Sequence, residues 1–136
     1  MININVFSEE KAWSKKLKKK EIFFNKICKA FPKKFKFINN VYESITLKKN
    51  SKLKNLYLQN NKSEGFFHKF LKSKLFSGSD YSNLIFSSGL KFNKIDIECD
   101  LFEENSKCNI MSALFLNHNE HQEIKTRVNH LAPNCQ

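Results

Sequence analysis

Short stretches in which apolar and polar residues alternate dominate the chain from Phe35 onward, and they most constrain its fold. Alternation with a period of two is typical of a β-strand with one buried face and one face in water. The clearest stretch is KIDIECDLF, at 94–102. It places Ile95, Ile97, Cys99 and Leu101 on one side and Asp96, Glu98 and Asp100 on the other, wet side. YESITLKK similarly aligns Ile45 with Leu47, and LKNLYLQ aligns Leu56 with Leu58 and turns Tyr57 to the opposite face.

Polar turns separate these strands at intervals of about 10 to 16 residues, the spacing of a protein built from many short strands. They lie near residue 50 and at 60–65, 77–80, 87–89, 103–106 and 117–121. A sandwich, a barrel and a β-solenoid all fit this spacing. The chain has three glycines and no Asn-Gly or Asp-Gly pair, so tight hairpins are poorly supported and a solenoid of stacked coils is favoured. The stretch KCNIMSALFLN is apolar on both faces, which predicts a central strand.

The first 36 residues form a basic segment that we separate from the strands at 37–136. Residues 8–31 have helical periodicity, Ser8 is a suitable N-cap, and Pro32 prevents the helix from continuing. Residues 1–40 hold 11 lysines against three glutamates, so much of the net charge of +11 lies here. A nucleic-acid-binding module using Lys15 to Lys20 with Trp13 is the alternative function. The presence of one arginine among 24 basic residues argues against it, because proteins that bind phosphates usually use arginine too.

The size and apolar content of the chain limit its class. A chain of 136 residues suits one domain, and no run approaches the roughly 20 apolar residues that span a bilayer. No apolar secretion signal with a cleavage site follows Met1, so we expect a cytoplasmic protein with reduced cysteines. Hydrolase motifs, phosphate-binding glycine loops and Cys-x-x-Cys pairs are missing from the sequence.

Two ordered stretches, 38–63 and 88–136, resemble the core of the SufB/SufD family of iron–sulfur cluster assembly scaffolds, more on the SufD side. The resemblance covers residues 38–136 and rests on a series of short matches rather than on one motif. These are Asn40, Glu43 and Ile45; Lys52 to Gln59; Gly89, Asn93 and Lys94; Asp96 to Leu116; and Glu120, His121, Thr126, Val128, His130, Pro133, Cys135 and Gln136.

The resemblance implies a mainly β fold, a right-handed parallel β-helix, which we expect to carry a short N-terminal α-helix. It implies a non-enzymatic scaffold that pairs with a SufB-like subunit and a SufC-like ATPase, with a transient iron–sulfur cluster handled by the full complex. Family members are several times longer, so the chain looks like a truncated or chimeric product that ends in mid-coil. The residues that the family uses for cluster assembly and ATPase binding lie chiefly in later regions. We therefore expect no catalytic, cofactor-binding or metal-binding residue here, and no membrane or nucleic-acid partner.

The histidines and cysteines near the C-terminus are candidates for metal binding or sulfur chemistry. His118, His121, His130 and Cys135 could form a zinc set, but they fall in a polar turn and a strand that fix no tetrahedral geometry, which favours structural or exposed roles. Cys99 lies on the apolar face of its strand, so core packing is favoured over sulfur relay, and Cys108 is similar. The role of Cys135 stays open. A thiolate relay needs a cation close to the sulfur, and Arg127 and His130 are close to Cys135 in sequence, which does not establish that they are close in space.

Overall fold

The computed structural model describes residues 2–7, 38–60 and 63–136, with side chains from residue 38 onward apart from Ser63. These ranges contain eight strands: β1 (Ile2–Phe7), β2 (Ile38–Leu47), β3 (Lys52–Gln59), β4 (Ser63–Leu75), β5 (Asp80–Ser88), β6 (Leu90–Leu101), β7 (Lys107–Phe115) and β8 (His121–His130). They contain no helix, and therefore none that is long and apolar enough to cross a membrane.

The strands form two sheets that the chain visits alternately. One has five strands in the order β1-β2-β4-β6-β8, and the other has three in the order β3-β5-β7. All pairs are parallel except β1 with β2, which is antiparallel. Each coil therefore contributes one strand to each sheet and is followed directly by the next coil. The result is a β-solenoid of about three turns.

Identical positions of successive coils stack to form the core between the two sheets. Leu47, Leu75 and Leu101 are in register on β2, β4 and β6, and each is fully buried. Buried and half-buried side chains alternate strictly along β5. The period-two alternation expected from the sequence therefore matches the observed alternation of burial in this strand. Burying these columns is what holds the coils together, because parallel strands lack the local hairpins that join antiparallel ones.

One corner of the solenoid is built the same way in each coil. The backbone has positive φ at Asn50, Gly78, Asn105 and Asn134, the left-handed conformation that Gly and Asn adopt most easily. The next residue is a serine in the first three corners and a cysteine in the fourth: Ser51, Ser79, Ser106 and Cys135. Backbone hydrogen bonds join the corners, including Asn50 N to Ser77 O at 2.9 Å and Gly78 N to Glu104 O at 3.1 Å. A Cβ atom on Gly78 would overlap the Asn50 side-chain oxygen, so a larger residue at this corner would have to displace the Asn50 side chain.

The predicted solenoid is confirmed. The expected helix at 8–31 lies outside the described residues. The strand β1, which adds to the edge of the five-stranded sheet beside β2, was not predicted.

KCNIMSALF, expected to be central, is β7, the outermost described strand of its sheet, and that expectation stays a prediction. One expectation about an individual strand is wrong. The acids of β6 are not on a wet face, because Asp96 is 3% exposed and Asp100 is 7% exposed. In a parallel stack each outward side chain is flanked by its register neighbours, as Asp96 is by Phe70 and Lys125, and this lateral packing removes much of its contact with water.

Candidate functional site

A buried ion pair lies inside the first two coils. Glu43 on β2 and Lys69 on β4 form a direct salt bridge, although both side chains are nearly removed from water. The ammonium of Lys69 also lies 4.4 Å from the centre of the Tyr57 ring, a cation–π contact. Next to it, the amide of Asn55 donates to the side-chain oxygen of Asn83 at 3.2 Å. Polar groups at such depth are stable only when paired, so this cluster fixes how β2, β3 and β4 pack.

The environment of Tyr57 makes its stability contribution depend on pH. Burial, with a smaller contribution from the Glu43 charge, raises the pKa of Tyr57 to about 12. An unfolded chain loses the same proton near pH 10. The contribution is therefore complete below pH 10 and is lost as the pH rises toward 12, because the folded protein holds the proton more tightly.

We expect the free energy of unfolding to fall between about pH 10 and about pH 12 and the Tyr57→Phe variant to show a shallower fall, by about 1–2 kcal/mol over that range. Urea titrations at several pH values would measure it. Burial likewise raises the pKa of Tyr81, so part of the fall should persist in the variant. Parallel curves for the two proteins would contradict the assignment.

Charged side chains form rows across the outer face of the five-stranded sheet. Lys72 contacts Glu98 at 2.8 Å and Asp100 at 3.4 Å, and Asn129 donates to Asp100 at 2.6 Å. A separate pair joins His68 Nε2 to Asp96 at 3.0 Å, with both side chains buried. Each of these contacts joins neighbouring strands of the sheet, and it therefore favours the observed register.

The strands β7 and β8 form the last coil that the structure describes. They are the outermost described strands of their sheets, on the same side of the solenoid. The inward-facing Val128, in register with Cys99, is 38% exposed, whereas Cys99 is fully buried. Met111 and Phe115 on β7 are also exposed. An edge strand with exposed apolar side chains can pair with a further strand, of the same polypeptide or of a partner. We therefore define β7 with β8 as the candidate site and call it the open end of the described coils.

The three described cysteines lie near this open end. Cys99 is in the core cluster, and Cys108 and Cys135 pack against that cluster while half-buried. Cys135 takes the corner position that serine fills in the earlier coils, and its sulfur lies 3.3 Å from the Ser106 hydroxyl oxygen. The Cys135 sulfur contacts the Ser106 hydroxyl and the carbonyl oxygens of Glu103 and Pro133. Arg127, the cation considered as its partner, is exposed on β8.

The candidate histidines do not assemble with Cys135. His118 is exposed in the turn before β8, His121 stacks on Phe92 with ring centres 4.5 Å apart, and His130 is exposed at the end of β8. Among the described residues, no three or more His, Cys, Asp or Glu side chains are grouped so as to hold a metal ion.

Two features of the solenoid were not predicted from the sequence, although the sequence carries a signal for each. Glu43 shares the buried phase of β2 with Ile45 and Leu47, and Lys69 shares that of β4 with Leu71 and Leu75. A charge in the buried phase of each of two adjacent strands is a signal for a buried pair. The second is the repeated Asn-Ser or Gly-Ser corner, which reappears as Asn134-Cys135.

Comparison with known proteins supports one family. The model of the SufBD core domain of the SUF system for FeS cluster assembly matches residues 18–136. The endoribonuclease YbeY of Pelagibacter ubique (strain HTCC1062) is 49% identical over 57 residues, which are 41% of this chain and 37% of that protein. The chain therefore spans little more than a third of the length of this relative. No solved structure matches.

The family match takes in every described strand from β2 to β8 and so coincides with the parallel solenoid. It agrees with the resemblance seen in the series of short motifs from Asn40 to Gln136. The chain belongs to the SufBD core domain family of the SUF iron–sulfur cluster assembly system.

Proposed function

We propose that this chain acts as a non-enzymatic, SufD-like scaffold subunit. Its family places it in SUF iron–sulfur cluster assembly. In the proposed role it pairs with a SufB-like subunit and works with a SufC-like ATPase in the cytoplasm, and the cluster is the cargo of the complex. The observation that carries the proposal is the family match along the whole described solenoid, 38–136.

The form of the solenoid supports a scaffold role. Its outer charges are engaged with one another, as in Lys72 with Glu98 and Lys94 with Glu123, and this pairing rigidifies the sheet. In the proposed role, a partner adds strands at β7 and β8, which lie on the same side as the outermost described strands of the two sheets. The alternative of a nucleic-acid-binding module gains no support from the family match, and Lys15 to Lys20 and Trp13 lie outside the described residues.

A pairing experiment with an edge-blocking variant tests the proposal. Val128→Lys places a charge on the inward face of the last strand, where it still reaches water, and inward charges block strand addition. Leu56→Lys is the matched control, because Leu56 is 56% exposed on the outer face of β3, away from the open end.

Binding of the SufB-like subunit from the same genome, with and without the SufC-like ATPase, would be measured by calorimetry. We expect Val128→Lys to weaken binding at least about tenfold, or about 1.4 kcal/mol, and Leu56→Lys to leave it unchanged. Both variants should melt within a few degrees of the original chain. Absence of binding by the unmodified chain would overturn the scaffold proposal, and equal effects of the two variants would move the interface away from the open end.

A further inference from the structure

The outer face of the five-stranded sheet is buried to different depths along β4. The outward side chains of Phe66, His68 and Phe70 are 1%, 2% and 6% exposed, respectively. They alternate along the strand with residues that face the core, such as Leu71. The side chain of Lys72, the next outward residue, is 23% exposed. The first part of this outward row is therefore sealed from water, and the part that follows is not.

The three-stranded sheet shows how much burial the neighbouring strands alone provide. Leu84 and Phe86 face outward on β5, which lies between β3 and β7 as β4 lies between β2 and β6. Both side chains are half-buried, although each has register neighbours on both sides. Phe86 and Phe70 are the same residue type on central strands. The deeper burial of Phe70 therefore requires a cover above the face as well as neighbours beside it.

A segment of the chain begins and ends beside this sealed row. The strand β1 ends at Phe7, which pairs with Tyr42, and Tyr42 is in register with Phe70. The strand β2 begins at Ile38, which is in register with Phe66. Residues 8–37, which join these two strands, are far too many for a hairpin turn. The inward face of the sheet is filled by the core, which leaves the outer face for this connection.

The sequence of the connection suits an apolar surface of this size. Residues 8–31 are predicted to form an amphipathic helix, and Trp13, Phe24 and Phe31 are separated by close to whole numbers of helical turns. Such a helix would be about 36 Å long and about 10 Å wide. Neighbouring strands lie about 4.8 Å apart, so one helix of this width covers two or three of them.

We propose that residues 8–31 dock as an amphipathic helix on the outer face of β4 and β6, with their apolar side against the row of Phe66 and Phe70. The docked helix closes this part of the face and turns the lysines between Lys15 and Lys20 toward water. The basic segment thereby gains a structural role within the chain. This inference rests on the burial of a central strand and does not depend on the identity of any partner subunit.

Hydroxyl-radical footprinting of the full chain tests the proposal, because the oxidation of a side chain reports its contact with water. The variant Phe24→Asp places a charge on the apolar side of the predicted helix. Asn25→Asp introduces the same residue one position further on, outside the apolar stripe, and is the matched control.

Two tryptic peptides separate the faces to be compared. Peptide 63–69 carries Phe66, and peptide 75–91 carries Phe86. Tandem mass spectrometry locates the oxidation within each peptide. The second peptide also carries Tyr81, which is fully buried in the core and reports whether the solenoid stays folded.

We expect Phe66 to be protected in the unmodified chain and in Asn25→Asp. Phe24→Asp should raise its oxidation at least about threefold and leave Phe86 and Tyr81 unchanged, because undocking is a local opening. Oxidation of Phe66 as strong as that of Phe86 in the unmodified chain would overturn the proposal, as would equal effects of the two variants or no effect of Phe24→Asp. Protection that disappears on dilution would also overturn it, since a second copy of the chain would then be the cover.

The fluorescence of Trp13, the one tryptophan of the chain, gives a second readout that needs no variant. Docking should make its quenching by acrylamide at least about threefold weaker in buffer than in concentrated urea. If Phe24→Asp unfolds the solenoid and exposes Tyr81, this comparison decides the question. Equal quenching in buffer and in urea would mean that the segment is not docked.

Discussion

Replacing Lys69 with Met should lower the free energy of unfolding by about 3–5 kcal/mol, because the variant leaves the Glu43 carboxylate buried without its partner. Methionine preserves the length and packing of the side chain but removes the ammonium that contacts both Glu43 and the Tyr57 ring. Urea denaturation at neutral pH, followed by circular dichroism, measures the change.

The double variant Glu43→Leu with Lys69→Met is the control for this interpretation. With both charges gone, no uncompensated group remains, and we expect stability within about 1 kcal/mol of the original protein or above it. A cost below about 1 kcal/mol for the single variant would mean that water reaches Glu43, and the pair would then not be an interior one.

Replacing Leu75 with Ala should cost about 2–5 kcal/mol, the range for deleting a large aliphatic side chain from a packed core. Leu75 is fully buried between Leu47 and Leu101 in the central column, so the cavity would open between two coils that cannot move together without shifting their backbone hydrogen bonds. Chemical denaturation of the variant and of the original chain gives the difference directly.

Leu58→Ala provides the matched control, because the chemistry is identical and only burial differs. Leu58 is 63% exposed on the outer face of β3, so its truncation should change stability by less than about 0.5 kcal/mol. Similar costs at positions 58 and 75 would contradict the assignment of the core to the column of Leu47, Leu75 and Leu101.

The sequence determined which stretches are strands, because alternation at a period of two is a local property of the chain. Ile95, Ile97, Cys99 and Leu101 were assigned to one face and do share the core. The lack of glycine-containing hairpin turns also favoured coils over hairpins, and the resemblance to a family of β-helical scaffolds agreed with it.

Only the tertiary structure decided which face of a strand is buried and how far. In β3 the alternation groups Leu56 with Leu58, yet it is Tyr57 that turns inward, where it meets Lys69 of the next coil. Hydrophobicity alone does not determine such a choice, because it depends on a partner 12 residues away in sequence and on the register between coils.

The same limit explains the buried acids of β6. Whether Asp96 meets water depends on its neighbours one coil before and after it, which the pattern of a single strand does not show. The sequence thus specified the repeating strands and turns, since propensity and alternation act over a few residues. The stacking of coils specified the buried Glu43–Lys69 pair and the burial of Asp96, since each depends on residues that come together only when the coils are in register.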